Sequence, residues 1–161
     1  MKLKLLVASV LLVIMSIGCS SSEETTKRNM DNYKVVKKVV NQVNLDIEKN
    51  VSWVNLMPGS SPKFHVSGKI SLLPSEDYNK AETELKYIKV FQNDEELYYI
   101  MPKVMTENIA DVKILTYSTI KGLAIDKNLD RKAPVTFELI FKDGKKELKY
   151  RIYDIMVEEV H

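Results

Sequence analysis

From residue 63 to 72 the chain reads Lys-Phe-His-Val-Ser-Gly-Lys-Ile-Ser-Leu, and its apolar and polar positions alternate. Phe64, Val66, Ile70 and Leu72 share one parity, while His65, Ser67, Lys69 and Ser71 share the other. A period of two predicts a half-buried strand. Gly68 falls on the apolar parity, so a strand here leaves a hollow for a large neighbour, and Trp53, the only tryptophan, is the candidate to fill it. Two further runs, "LKYIKVFQ" and "ELYYIMPK", flank a polar turn at Asn93-Asp94-Glu95, with Pro102 ending the second. The strongest hairpin signal is "VTFELIF" and "ELKYRIYDIMVEEV" on either side of Lys142-Asp143-Gly144-Lys145, where glycine supplies the positive φ that a tight turn demands. In that last run Leu148, Tyr150 and Ile152 share one parity and Tyr153, Ile155 and Val157 the other, which predicts a bulge or bend near Ile152.

Between the hairpins "DVKILTYSTIKGLAI" predicts a strand over 112–118 and a turn at Lys121-Gly122. Helix is scarce. The segment "SEDYNKAETEL" suits one or two helical turns, and "NYKVVKKVVNQV" has valines at both helical and strand spacings, with β-branching favouring the strand. About seven or eight strands with short polar connections, and no βαβ alternation or internal repeat, predict an all-β domain over residues 30–161. Its expected architecture is an immunoglobulin-like antiparallel β-sandwich.

The amino-terminal pattern is of another kind. Lys2 and Lys4 precede an apolar run from Leu5 to Ile17, followed by Gly18 and then Cys19, the only cysteine. A charged start, an apolar stretch and a small residue make a secretory signal peptide over 1–18. At 13 residues the run is shorter than the roughly 20 that a membrane-spanning helix needs. Ser16-Ile17-Gly18-Cys19 resembles the lipobox of bacterial lipoproteins: Ile17, Gly18 and Cys19 match, and Ser16 stands where leucine is commonest. The resemblance implies lipidation of Cys19 by diacylglycerol, cleavage before it, and acylation, typically by palmitate, of the new terminus. It implies an exported protein anchored to the cell membrane, and Ser20 resembles the residue of lipoproteins sent to the outer membrane where the envelope has two. The "SSSEETTKRN" that follows has no large apolar side chain to offset the entropy of ordering, so residues 19–29 read as a flexible tether.

Charge narrows the partners. The chain has 24 Lys and Arg against 22 Asp and Glu, and loss of Lys2 and Lys4 leaves the formal charges balanced. A strongly basic surface for nucleic acid is therefore absent. The locally basic stretch 121–151 reads as solvated strand faces and turns, with contact to anionic lipid or envelope polymer as the alternative. With one cysteine no intramolecular disulfide forms, and the domain must be held by its core.

Chemistry-bearing constellations are few. Serine or cysteine nucleophiles need a histidine base, and the chain has only His65 and His161. His65 sits on the polar parity of its strand and reads as a solvated surface residue without a partner, worth within about 0.5 kcal/mol of stability. No glycine-rich phosphate loop or nucleophile motif occurs. The pairs Glu76-Asp77, Glu95-Glu96 and Glu158-Glu159 are adjacent, and neighbours in a strand point to opposite faces. "DKNLD" spaces Asp126, Asn128 and Asp130 like the opening of a calcium loop, but Arg131 replaces the required glycine and Phe137 the bidentate glutamate. Met57, His65, Met101 and Met105 are copper-type ligands without ligand spacing, and methionine is equally a core filler. One of Tyr98 and Tyr99 must face outward and offer a protein contact. These readings imply no cofactor, no metal and no catalytic residue. They point to a membrane-anchored cell-envelope lipoprotein carrying a non-catalytic β-sandwich interaction or accessory module, with a protein or envelope component as partner. A small-ligand or copper-binding lipoprotein is the alternative.

Overall fold

The structure is a computed structural model, and it describes residues 42–59 and 61–161. The signal peptide, Cys19, the tether and most of "NYKVVKKVVNQV" lie outside the described residues. The described part has ten strands: β1 Leu45–Asn55, β2 Lys63–Leu72, β3 Glu84–Gln92, β4 Glu95–Ile100, β5 Lys103–Ile109, β6 Val112–Ser118, β7 Leu123–Ala124, β8 Val135–Asp143, β9 Lys146–Ile155 and β10 Val157–Val160. The excess over seven or eight comes from β7 and β10, which at two and four residues are too short to show a period.

One sheet has the order β10-β1-β2-β6-β5, with β7 also on β2, and the other the order β4-β3-β8-β9. Leaving β7 and β10 aside, the orders β1-β2-β6-β5 and β4-β3-β8-β9 are those of an immunoglobulin-like sandwich with one extra edge strand, β4, on the second sheet. All pairs are antiparallel except β1 with β10, which is parallel.

Alternation places the core. Phe64, Val66, Ile70 and Leu72 of β2 face Phe137, Leu139 and Phe141 of β8, and all seven are fully buried. The Phe64 ring stacks on Tyr98 of β4 at 4.5 Å between centroids, joining the sheets. A buried aromatic pair of this kind is worth about 0.5–1.5 kcal/mol beyond its area.

Turn chemistry sets the register. Asn93 and Asp94 both have positive φ and form a two-residue loop, so Glu95 belongs to β4, paired with Gln92. In the β8–β9 hairpin the loop is Gly144-Lys145, with the positive φ on glycine. In β9, Tyr153 and Asp154 oppose the single residue Thr136, and Asp154 has a φ of 58°. This bulge flips the parity and returns Ile155 and Val157 to the interior, both being buried.

Two expectations are corrected. The hollow at Gly68 is filled by Tyr117, its direct cross-strand partner on β6, and not by Trp53, which pairs with His65 on the outer face. A Cβ at Gly68 would overlap the Tyr117 hydroxyl, which bonds Asn50 inside the sandwich. Burial holds that phenol well above its usual pKa. The segment "SEDYNKAETEL" makes a hydrogen-bonded turn, Thr83 N–H to Asn79 O at 2.9 Å, and no helix. Tyr78 is the cause: its buried ring is tied down by a hydroxyl that donates to Leu73 O at 2.5 Å, pulling the chain across the end of the sandwich.

Candidate functional site

The two long sides of the sandwich are built differently. On the β9–β10 side the chain covers itself: Gln42 N–H donates to Lys149 O at 2.8 Å, Val43 is buried, and Met156 leads from β9 to β10, where its carbonyl accepts from the Ser52 hydroxyl at 3.1 Å. On the opposite side β4 and β5 are edge strands joined at Met101-Pro102.

β4 pairs only with Ile88–Gln92, so the first half of β3 runs past it uncovered. Between that half and β5 lies a cleft of about 310 Å³ lined by Leu85, Met101, Pro102, Val104 and Leu115 together with the polar Glu84, Lys86 and Thr106. Beside it is a depression of about 250 Å³ formed by Tyr99, Met101, Ile120, Gly122 and Leu123 with their neighbours. Its rim is apolar and open: Tyr99 is 53%, Met101 76% and Ile120 74% exposed.

Each of these side chains is presented by its local structure. Ile120 stands on a loop that kinks away from β2 between β6 and β7, anchored by Thr119 N–H to Val66 O at 3.0 Å. Tyr99 faces outward while Tyr98 is buried, as alternation requires. The Tyr99 ring is held by a stack on Tyr87 at 4.9 Å and by Lys89, whose ammonium lies 5.3 Å from its centroid and 2.7 Å from Glu96. An oriented tyrosine among exposed aliphatic side chains is a contact feature with little ordering entropy left to lose.

His65 differs from the solvated, unpartnered residue expected. Its ring stacks on Trp53 at 5.0 Å with an 8° interplanar angle, and its Nδ1 lies 3.3 Å from the Thr119 hydroxyl. Gly122, at a φ of 66°, lies against the far edge of the imidazole. Partial burial, with Lys63 nearby, holds the His65 pKa below the usual imidazole value. A sequence pattern of period two carries none of this, because the partners come from two other segments, β1 and the β6–β7 connection.

The copper-type ligands are dispersed. Met105 is level with Thr116 and Lys69, so it lies two strands across and four residues along from His65, roughly 16 Å away on strand spacings. Met101 lines both clefts and Met57 follows β1 at the exposed surface. Among the described residues no three His, Cys, Asp or Glu side chains gather to hold a metal. In "DKNLD" the side chains are committed to the loop and to β4: Asp126 accepts from Asn128 N–H at 2.8 Å, Asn128 donates to Glu95 of β4 at 2.8 Å, and Asp130 accepts from Lys132 N–H at 2.9 Å. The buried Gln92 anchors this loop, accepting from Asp130 N–H and donating to the Asp130 and Ala133 carbonyls.

The adjacent carboxylates diverge, Glu95 toward Asn128 and Glu96 toward Lys89. The buried charges serve the fold: Glu138 pairs with Arg151 at 2.6 Å, and Lys113 donates to Ala81 O and Thr83 O, with burial holding its pKa below the usual lysine value. Cys19 lies outside the described residues. Scans of the chain against protein-family models and curated proteins give no match. Met101 and Ile120 were absent from the contact features read in the sequence. Their signal is an apolar side chain in a connecting segment, where turn chemistry favours polar residues.

Proposed function

We propose that this chain is an envelope lipoprotein, held at a membrane by lipid on Cys19, whose sandwich is a non-catalytic interaction module that meets its partner along the β4–β5 side. The observation that carries the reading is the grouping of Tyr99, Met101 and Ile120 around one shallow apolar depression. Apolar side chains exposed together on a folded domain are the mark of an interaction surface. The anchor needs nothing from the sandwich, since each buried methylene contributes about 0.8 kcal/mol and two acyl chains suffice for stable attachment.

The test uses the full chain in its own membrane. Mass spectrometry of the amino-terminal peptide should find Cys19 acylated, and Cys19→Ser should move the protein out of the membrane fraction. A photo-crosslinking residue at Ile120 should give a protein adduct, whereas one at Tyr153 on the other side should not. An unmodified Cys19 thiol sinks the anchor, and equal adducts from both positions sink the contact surface.

A further inference from the structure

The outward side chains of β5 form a pattern that is complementary to itself. Val104 and Thr106 pair with the inward-facing Tyr117 and Leu115, so Lys103, Met105, Glu107 and Ile109 occupy the outer face of the sheet. Along that row the order is cation, apolar, anion, apolar. Met105 is 53% and Ile109 57% exposed, and with Tyr99, Met101 and Ile120 they make five of the nine exposed large apolar residues of the described chain.

We propose that the β5 edge is occupied by the β5 of a second copy of this chain, antiparallel and centred on Met105, joining the two β10-β1-β2-β6-β5 sheets into one continuous sheet. In this register Lys103 meets Glu107 of the copy and Met105 meets Met105. Opposite charges and apolar pairs placed directly across an antiparallel ladder stabilise it. The neighbouring in-face registers fail on charge. Centring on Lys103 puts lysine against lysine, and centring on Glu107 puts glutamate against glutamate. Centring on Val104 sets Lys103 against Met105, and centring on Thr106 sets Lys103 against Ile109 and Glu107 against Met105, so each leaves its charges opposite apolar side chains. A slip of one residue sets outer side chains against inner ones.

Edge strands are commonly guarded by charge against such pairing. Here the two guards have opposite sign and symmetric positions, so an antiparallel copy sets each of them opposite its counter-charge. All seven residues of β5 pair with β6 without a register shift, which leaves a straight outer edge with its backbone groups available. The inference rests on the reading that the β4–β5 side is a contact surface, and it names the occupant of the β5 part of it. The depression under Tyr99 and Ile120 is left open beside the joint.

The experiment is oxidative cross-linking of the full chain in its own membrane. Met105→Cys should give a disulfide-linked homodimer, while wild type and Asn108→Cys should not. In the Met105→Cys chain, Lys103→Glu should lower the dimer yield about tenfold, the two symmetric repulsions together amounting to roughly 1–2 kcal/mol, and Glu107→Lys added to it should restore the yield. Circular dichroism on each variant confirms that the sandwich is intact. Failure of a folded Met105→Cys chain to dimerise, its linkage to a different protein, or failure of the charge swap to restore the yield overturns the inference. A dimer of the wild type through Cys19 would instead overturn the lipid anchor, and a persisting Ile120 adduct without the β5 dimer would leave the interaction reading standing alone.

Discussion

Along β9 and β10 the chain passes between the sheets twice, through Val43 and through Met156, whereas along β4 and β5 it passes once, at Met101-Pro102, and leaves a cleft of about 310 Å³. Both sides border the same core. On the first, backbone hydrogen bonds from Gln42 to Lys149 and along β1–β10 cover the flank of the core, and the apolar residues Val43, Ile155 and Val157 are buried. On the second, Tyr99, Met101 and Ile120 stand in water around one depression, whereas the exposed apolar residues of the first are Tyr153 and Met156. The contrast separates apolar residues that are buried in the fold from apolar residues that are gathered at its surface.

The largest effect tests whether the open side shares the core. Phe64 packs on Tyr98 directly beneath it, so Phe64→Ala should cost about 3–5 kcal/mol in urea unfolding of the protein. A loss below about 1 kcal/mol would mean that the open side is poorly packed and the contrast with the closed side is one of order, not of function.

Next in size is Gly68→Ala. The added methyl meets the Tyr117 hydroxyl from one side and Asn50 from another, and overpacking of this kind costs about 1–3 kcal/mol. A neutral result in the same measurement would show that Tyr117 can swing away from β2.

Acid should act on His65, which joins the outer face of the first sheet to the loop carrying Ile120. Burial and Lys63 hold its folded pKa below the ordinary imidazole value, so the unfolded chain binds the proton more readily. Its contribution to stability is therefore complete above about pH 6.5 and is lost as pH falls through the folded pKa. Unfolding measured from pH 7.5 to 5 should show a shallower loss for His65→Gln than for wild type, and identical slopes would mean that the imidazole titrates normally.

The smallest effect on stability, and the sharpest test of the comparison, is at the rim. Ile120→Ser and Met101→Ser should each change stability by no more than about 0.5 kcal/mol. Met101→Ser should also abolish the protein adduct formed by the photo-crosslinking residue at position 120. Destabilisation by more than 2 kcal/mol would show that both residues are packed, and the surface would lose its claim to be free.

The gross architecture was legible in the residues, because a strand with one face in the core must alternate and a tight turn needs particular φ values. Phe64 to Leu72, the opposite facing of Tyr98 and Tyr99, the Asp143-Gly144 hairpin and the bend near Ile152 all follow from those two local rules, though which tyrosine points outward does not. Cys19 and its surroundings are equally local in character, a matter of order along the chain. What the tertiary structure alone decided is who stands opposite whom. Tyr117 fills the hollow at Gly68, Thr119 and Trp53 flank His65, Tyr78 turns an expected helical segment into a loop, and β10 finds the edge of β1. The open side belongs to this second class, since Leu85, Met101, Val104 and Ile120 come together only once two sheets have stacked and one edge has been left uncovered. Period and turn propensity act within a few residues, while register between distant strands is settled by the summed burial of whole faces.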